Sequence, residues 1–218
     1  MLVTMTHISS AQEKAGHVSV HLTREEQLVR NAQNGDVWAF NELVRAYQSL
    51  AYHIAYRVLA DGEVAADATQ EAFILAYKHI GAFRGGSFKA WLLRIVTNSC
   101  YSQLRTKQRK PVVSLDSAVE PDKQRGRLQA RDESPEDYAE RRELNATIQQ
   151  GLKTLPNDQR MTLVLSDIEG LSYKEIAVMT GTNMGTVKSR LARARALLRD
   201  YLLAQESVLP GANRRAGL

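Results

Sequence analysis

SYKEIAVMTGTNMGTVKSRLARAR, residues 172–195, is the stretch whose reading decides the fold. Ser172 has the short oxygen-bearing side chain that starts helices, and Glu175 three residues later completes a reciprocal capping pattern. A short helix from Tyr173 to Thr180 would bury Ile176, Ala177 and Met179, and Gly181 would end it in the left-handed conformation that glycine tolerates. A second helix is expected to open near Met184. Two helices joined by so tight a turn, with the small Ala177 where they approach, predict a helix-turn-helix.

The second helix divides its residues between two faces. Val187, Leu191, Ala194 and Leu198 share the side that packs on a core. The other side carries Thr186, Ser189 and Arg193, flanked by Lys188 and Arg190, with Gly185, Ala192 and Ala196 small enough to let the helix lie close to a wall. Arg195 and Arg199 extend the positive charge, and the first acidic residue is Asp200. Such a face suits the DNA major groove, where Arg and Lys reach guanine edges and phosphates and Ser or Thr serve either. It also suits a solvated C-terminal helix whose cations complement the helix dipole.

Outward from this motif the chain divides into three blocks. From Thr23 to about Lys107 it reads as helix, interrupted at Gly35-Asp36, Asp61-Gly62 and Gly85-Gly86; from Glu136 to Gln205 helical patterning returns, broken at Leu155-Pro156, Glu169-Gly170 and Thr180-Gly181. Between them the periodicity lapses into mixed charge and proline, the composition of a flexible linker. The expected fold is all-α, with two small helical domains at 23–107 and 136–205, a linker at 108–135, a disordered leader at 1–22 and a disordered tail at 206–218. In the first block, Ala68, Ala72, Ala76 and Ile80 stack on one side of a helix with Phe73 beside them, while Asp67, Gln70, Glu71 and Lys78 take the other. Ile74 stands within that polar side, an apolar residue placed where a docking partner would meet it.

Lys and Arg outnumber Asp and Glu by 29 to 24, which is compatible with a polyanionic partner. Cys100 is the single cysteine, so neither an internal disulfide nor a Cys/His metal cluster can form within the chain. It is expected to be an inert, semi-buried thiol in a reducing, cytoplasmic setting. No apolar stretch approaches a membrane span, and no signal peptide is legible. Neither a glycine-rich phosphate loop, a metal-ligand spacing nor a credible nucleophile set points to catalysis, and no cofactor is expected. His53 and His79 read as packing or surface residues.

Two ordered sets of strings carry a resemblance. Asp67-Ala-Thr-Gln70-Glu71-Ala-Phe73, Phe83-Arg84-Gly85 and Trp91-Leu-Leu-Arg94-Ile95 resemble region two of the extracytoplasmic-function sigma factors of RNA polymerase. Leu155-Pro156, Arg160, Glu169-Gly170-Leu171-Ser172-Tyr173, Glu175-Ile176-Ala177 and Gly185-Thr186-Val187-Lys188-Ser189-Arg190 resemble region four. Together they cover roughly Asn34 to Leu203.

The resemblance implies a non-enzymatic subunit that gives core polymerase its promoter specificity. Asp67, Gln70, Glu71 and Ile74 would dock on the clamp of the largest catalytic subunit, and region four would lie near the flap of the second. Phe83 to Asn98 would open the −10 element. Phe83, Phe88 and Trp91 offer stacking surfaces, Arg84, Lys89 and Arg94 offer cations, and Asn98 offers a polar contact to bases. For Trp91 and Phe88 a role as core anchors competes strongly with stacking, most of all for Trp91. Thr186, Lys188, Ser189, Arg190 and Arg193 would read the −35 element. The family also implies an anti-sigma factor. A stand-alone regulator binding operators as a dimer would share the helix-turn-helix but not the Asp67 to Phe73 pattern.

Overall fold

The computed structural model describes residues 22–109 and 134–206. Every regular element among them is helical, so the all-α expectation holds. The leader, the tail and nearly all of the expected linker lie outside the described residues.

Four helices form the N-terminal half: α1 (Arg24–Gln33), α2 (Val37–Leu59), α3 (Gly62–His79) and α4 (Phe88–Arg109). Polar caps start the first three. Thr23 and Glu26 form a capping box on α1, Asp36 accepts from the Ala39 amide, and Asp61 accepts from the Val64 amide. Helix α2 ends where Ala60 turns left-handed at φ 58°. The expected stripe of α3 is buried, with Ala65, Ala68, Ala72, Ala76 and the following Ile80 all inward. A stripe of alanines brings neighbouring backbones close, and α3 packs on both α2 and α4. A 3-10 turn at Ile80–Ala82 and an exposed loop then lead into α4.

The C-terminal half comprises α5 (Pro135–Thr154), α6 (Asn157–Leu163), a wide π turn at Val164–Ile168, α7 (Tyr173–Thr180) and α8 (Met184–Glu206). Helix α8 packs against α5, α6 and α7. Gly151 marks the tightest crossing, since a Cβ there would stand 2.6 Å from Leu198 Cδ1 and 2.8 Å from Tyr201 Cδ1. Helix α4 runs two residues into the stretch 108–135, and α5 begins at its last residue.

The halves also touch: α4 meets α7, and α2 meets α5, α6 and the π turn. Arg160 is the centre of this junction. It is buried, and its Nη2 donates to the carbonyls of Lys153 (2.9 Å) and Leu155 (3.0 Å), which end α5. Its Nη1 crosses to the carbonyl of Val58 in the last turn of α2 (2.7 Å).

Candidate nucleic-acid and protein interfaces

The helix-turn-helix forms as the local signals require. Ser172 accepts from the Glu175 amide (3.3 Å) and Glu175 reaches back to the Ser172 amide (2.8 Å). The hydrogen bonds from Ser172 hold the Glu175 carboxyl below the usual glutamate range. Gly181 is left-handed at φ 65°, and Ile176, Ala177 and Met179 are buried. Helix α8 opens at Met184, capped by Asn183, whose Oδ1 accepts from the Thr186 amide (2.8 Å) and hydroxyl (3.1 Å). Val187, Leu191 and Ala194 face inward.

The outer side of α8 is narrower than its sequence suggests. Lys188, Ser189 and Arg193 are exposed, and Thr186 is half-buried beneath its bond to Asn183. Arg190 is turned away: its Nη2 lies 2.5 Å from the Asp158 carboxylate of α6, and its side chain is only 21% exposed. Arg195 forms a two-pronged pair with Asp167 in the π turn (2.8 and 2.7 Å), and Arg199 bonds the adjacent Asp200. The Arg195 partner holds the Asp167 carboxyl below the usual aspartate range. Lys188 and Arg193 engage no carboxylate among the described residues, so they are the cations this face presents outward.

The segment from Phe83 to Asn98 is anchored from behind. Gln33 at the end of α1 donates to the carbonyls of Ile80 (3.2 Å) and Phe83 (2.7 Å), which pins the loop's base. Arg84, Gly85, Gly86 and Ser87 are exposed at its tip, with both glycines at φ near 90°. Ser87 then caps α4 by accepting from the Ala90 amide (3.1 Å).

The aromatics behind this loop form one cluster. Phe83 lies 6.0 Å from Phe88 and 5.5 Å from Trp91, and Phe88 lies 5.6 Å from both Trp91 and Tyr47, ring centre to ring centre. Of the two readings open for Phe88, stacking on DNA and anchoring the core, its place in this cluster fits the core. At 2% exposure it is a core residue, with no face available to a nucleobase. Phe83 and Trp91 are half-buried and retain an outer edge, while Arg84, Arg94 and Asn98 are exposed. Lys89 pairs across the junction with Glu169 (3.8 Å).

On α3, Asp67, Gln70 and Glu71 are exposed, and Ile74 is 48% exposed. Ile74 and Gln70 border a groove of about 640 Å³ between α2 and α3, shared with Val37, Phe40, Phe73 and Tyr77. Val37, Trp38 and Tyr77 are also exposed, so the apolar surface is broader than Ile74 alone. The sequence reading missed it because Val37 and Trp38 sit on another helix, remote in the chain.

Cys100 is fully buried, deeper than the half-burial expected, and burial pushes its thiol pKa up to about 12. No described helix is long and apolar enough to cross a membrane.

Comparison with known proteins places these surfaces in a frame. The family model for Sigma-70 region 2 matches residues 43–110, and that for Sigma-70, region 4 matches residues 146–198. The RNA polymerase sigma-H factor of Pseudomonas aeruginosa is 41% identical over 79% of this chain and 90% of its own length. The ECF RNA polymerase sigma-E factor of Escherichia coli K12 is 38% identical over 78% of this chain and 90% of its own. Among solved structures, CnrH in complex with the cytosolic domain of CnrY aligns with a TM-score of 0.58 at 26% identity, covering 84% of this chain and 99% of the other. RpoE of Bartonella quintana in complex with the anti-sigma factor NepR gives 0.58 at 27% identity, covering 76% and 98%.

Proposed function

The chain belongs to the sigma-70 family, in its extracytoplasmic-function group, and from that premise we propose how its surfaces divide the work of starting transcription. It is a sigma factor that binds core RNA polymerase and directs promoter-specific initiation; sigma factors are non-enzymatic initiation factors. In our reading the bond-making chemistry belongs to the polymerase, and this chain acts beside it in the cytoplasm.

The outer face of α8 reads the −35 element. The observation that carries this assignment is the pair of cations, Lys188 and Arg193, that engage no carboxylate among the described residues, beside exposed Ser189 on a helix whose other side is sealed into the core. Arg193 and Ser189 are best placed for base edges, and Lys188 for phosphate. Arg190 sets the orientation of α8 through Asp158 and contributes positive potential to the face.

The loop tip and the outer side of α4 open the −10 element. Phe83 and Trp91 offer edges for a displaced base, while Arg84, Arg94 and Asn98 hold the strand. Asp67, Gln70, Glu71 and Ile74 dock on the polymerase clamp, with the apolar groove beside Ile74 receiving side chains of the same partner. Because CnrH and the Bartonella RpoE were solved with CnrY and NepR bound, we further propose that a protein of the anti-sigma class restrains this chain.

Run-off transcription tests the reading. Core polymerase supplemented with the purified chain should initiate at a defined set of promoters carrying both elements, and unchanged transcription on addition would overturn it.

A further inference from the structure

The positive charge on α8 is laid out in a line that the fold leaves only partly free. Lys188, Arg195 and Arg199 are spaced by seven and four residues, so all three fall within about 20° of one line along a flank of the outer face. The line runs for about 16 Å. A helix lying in the major groove has phosphates beside such a flank. Left free, all three cations would take phosphates whatever the base sequence.

Two of the three are held, and in different ways. Arg199 bonds its chain neighbour Asp200, and both side chains are well exposed, so a phosphate can displace that carboxylate. Arg195 is gripped instead. Its Nε and Nη2 donate to both oxygens of Asp167 (2.8 and 2.7 Å), the two-pronged geometry that gives charge-assisted pairs their strength. The Tyr173 hydroxyl at the start of α7 accepts a further bond from the same guanidinium.

The carboxylate is delivered by an unusual piece of backbone. Asp167 lies in the π turn at Val164–Ile168, where the Glu169 amide reaches five residues back to the Val164 carbonyl (3.1 Å). Such turns are rare and recur at functional sites. Val164 and Leu165 are buried, so the turn is fixed from within while Asp167 stands outside against α8. The pair does little to seal the helix, because Val187, Leu191 and Ala194 already hold its inner side and the Arg195 side chain is half-exposed.

Resting on the reading of α8 as the −35 reader, we propose that Asp167 masks a phosphate-binding arginine. It withholds Arg195 from the DNA backbone and so limits the chain's sequence-independent affinity for DNA. The consequence is one of competition. A genome offers about 10⁶–10⁹ non-specific sites, and one more phosphate contact strengthens binding to all of them. A chain held on bulk DNA is unavailable to core polymerase.

Fluorescence anisotropy of the full chain tests this with two short duplexes. One carries the −35 element of a promoter found by run-off transcription, the other a random sequence, and each is titrated over a series of salt concentrations. Asp167→Asn keeps the shape of the side chain and removes its charge. It should bind both duplexes severalfold more tightly at low salt, with a log–log salt slope steeper by about 0.9 and the ratio of the two affinities unchanged. Adding Arg195→Ala to Asp167→Asn should return the slope to that of the unaltered chain. Asp167→Glu keeps the carboxylate and should retain the unaltered slope. Glu143→Gln removes an equal charge from an exposed site on α5 and should not steepen it.

An Asp167→Asn chain with the unaltered slope would overturn masking. So would an equal rise in Glu143→Gln, which would trace the effect to net charge alone. A changed ratio between the duplexes would also overturn it, since Asp167 would then aim α8 instead of withholding Arg195. Equal affinity of the unaltered chain for the two duplexes would instead overturn the −35 reading on which the proposal rests.

Discussion

The proposed −35 reader and the proposed −10 segment both set exposed cations on a helix anchored to a core, yet they differ in how far the proposed function and the packing are separated. In α8 the two tasks fall on opposite sides: Val187, Leu191 and Ala194 hold the helix, while Lys188, Ser189 and Arg193 are left outside. Around Phe83 to Asn98 the residues proposed to meet DNA also do the packing. Phe83 and Trp91 pack on buried Phe88, so the surface that would stack on a base is also a wall of the N-terminal core. A reader built like α8 can change its outer residues with little effect on stability, whereas the opening segment cannot.

Phe88→Ala puts the greatest strain on that contrast. It should cost about 3–5 kcal/mol of stability, read from urea unfolding, because a fully buried ring leaves a cavity. Loss of promoter opening with stability intact would return Phe88 to the DNA-contacting set. On α8 the arginines should part company. Arg193→Ala should weaken binding of the chain to a −35 duplex by about 1–3 kcal/mol with an unchanged thermal midpoint. Arg190→Ala should lower the midpoint as well, since it strands Asp158; equal midpoints for the two variants would break the distinction.

Glu71→Lys should weaken core binding roughly tenfold while the chain's affinity for the −35 duplex is unchanged. A loss in both measurements would show that α3 is not a separate surface. The smallest effect should come from the helix-turn-helix cap, where Ser172→Ala should cost about 1 kcal/mol. Its partner Glu175 has a depressed pKa in the folded state, so its contribution is complete above the ordinary value of 4.5 and fades as pH falls through the folded value. Unfolding followed from pH 6 down to pH 3 should therefore show less acid sensitivity in Ser172→Ala than in the unaltered chain.

What could be read in advance follows the range of the interactions. Ser172, Glu175 and Gly181 act within a few residues of one another, so the helix-turn-helix and its buried residues were legible. The alanine stripe of α3 was legible for the same reason, since periodicity records which side is covered without naming the neighbour. The pairing of Arg190 is not legible in sequence, because Asp158 lies 32 positions earlier and nothing near either residue signals the pair. Arg160 stands in the sequence only as part of a family pattern, because its bond to Val58 spans 102 positions. Phe88 was ambiguous because an aromatic at the start of a helix looks alike in sequence whether a base or Tyr47 covers it.

The burial of Cys100 reaches beyond packing. With its one thiol enclosed and protonated at any physiological pH, the chain offers oxidants no ready thiol to modify or cross-link. Thiol-based sensing of oxidative stress at this regulatory step would then have to reside in another molecule, to which this chain is an obedient but chemically deaf responder.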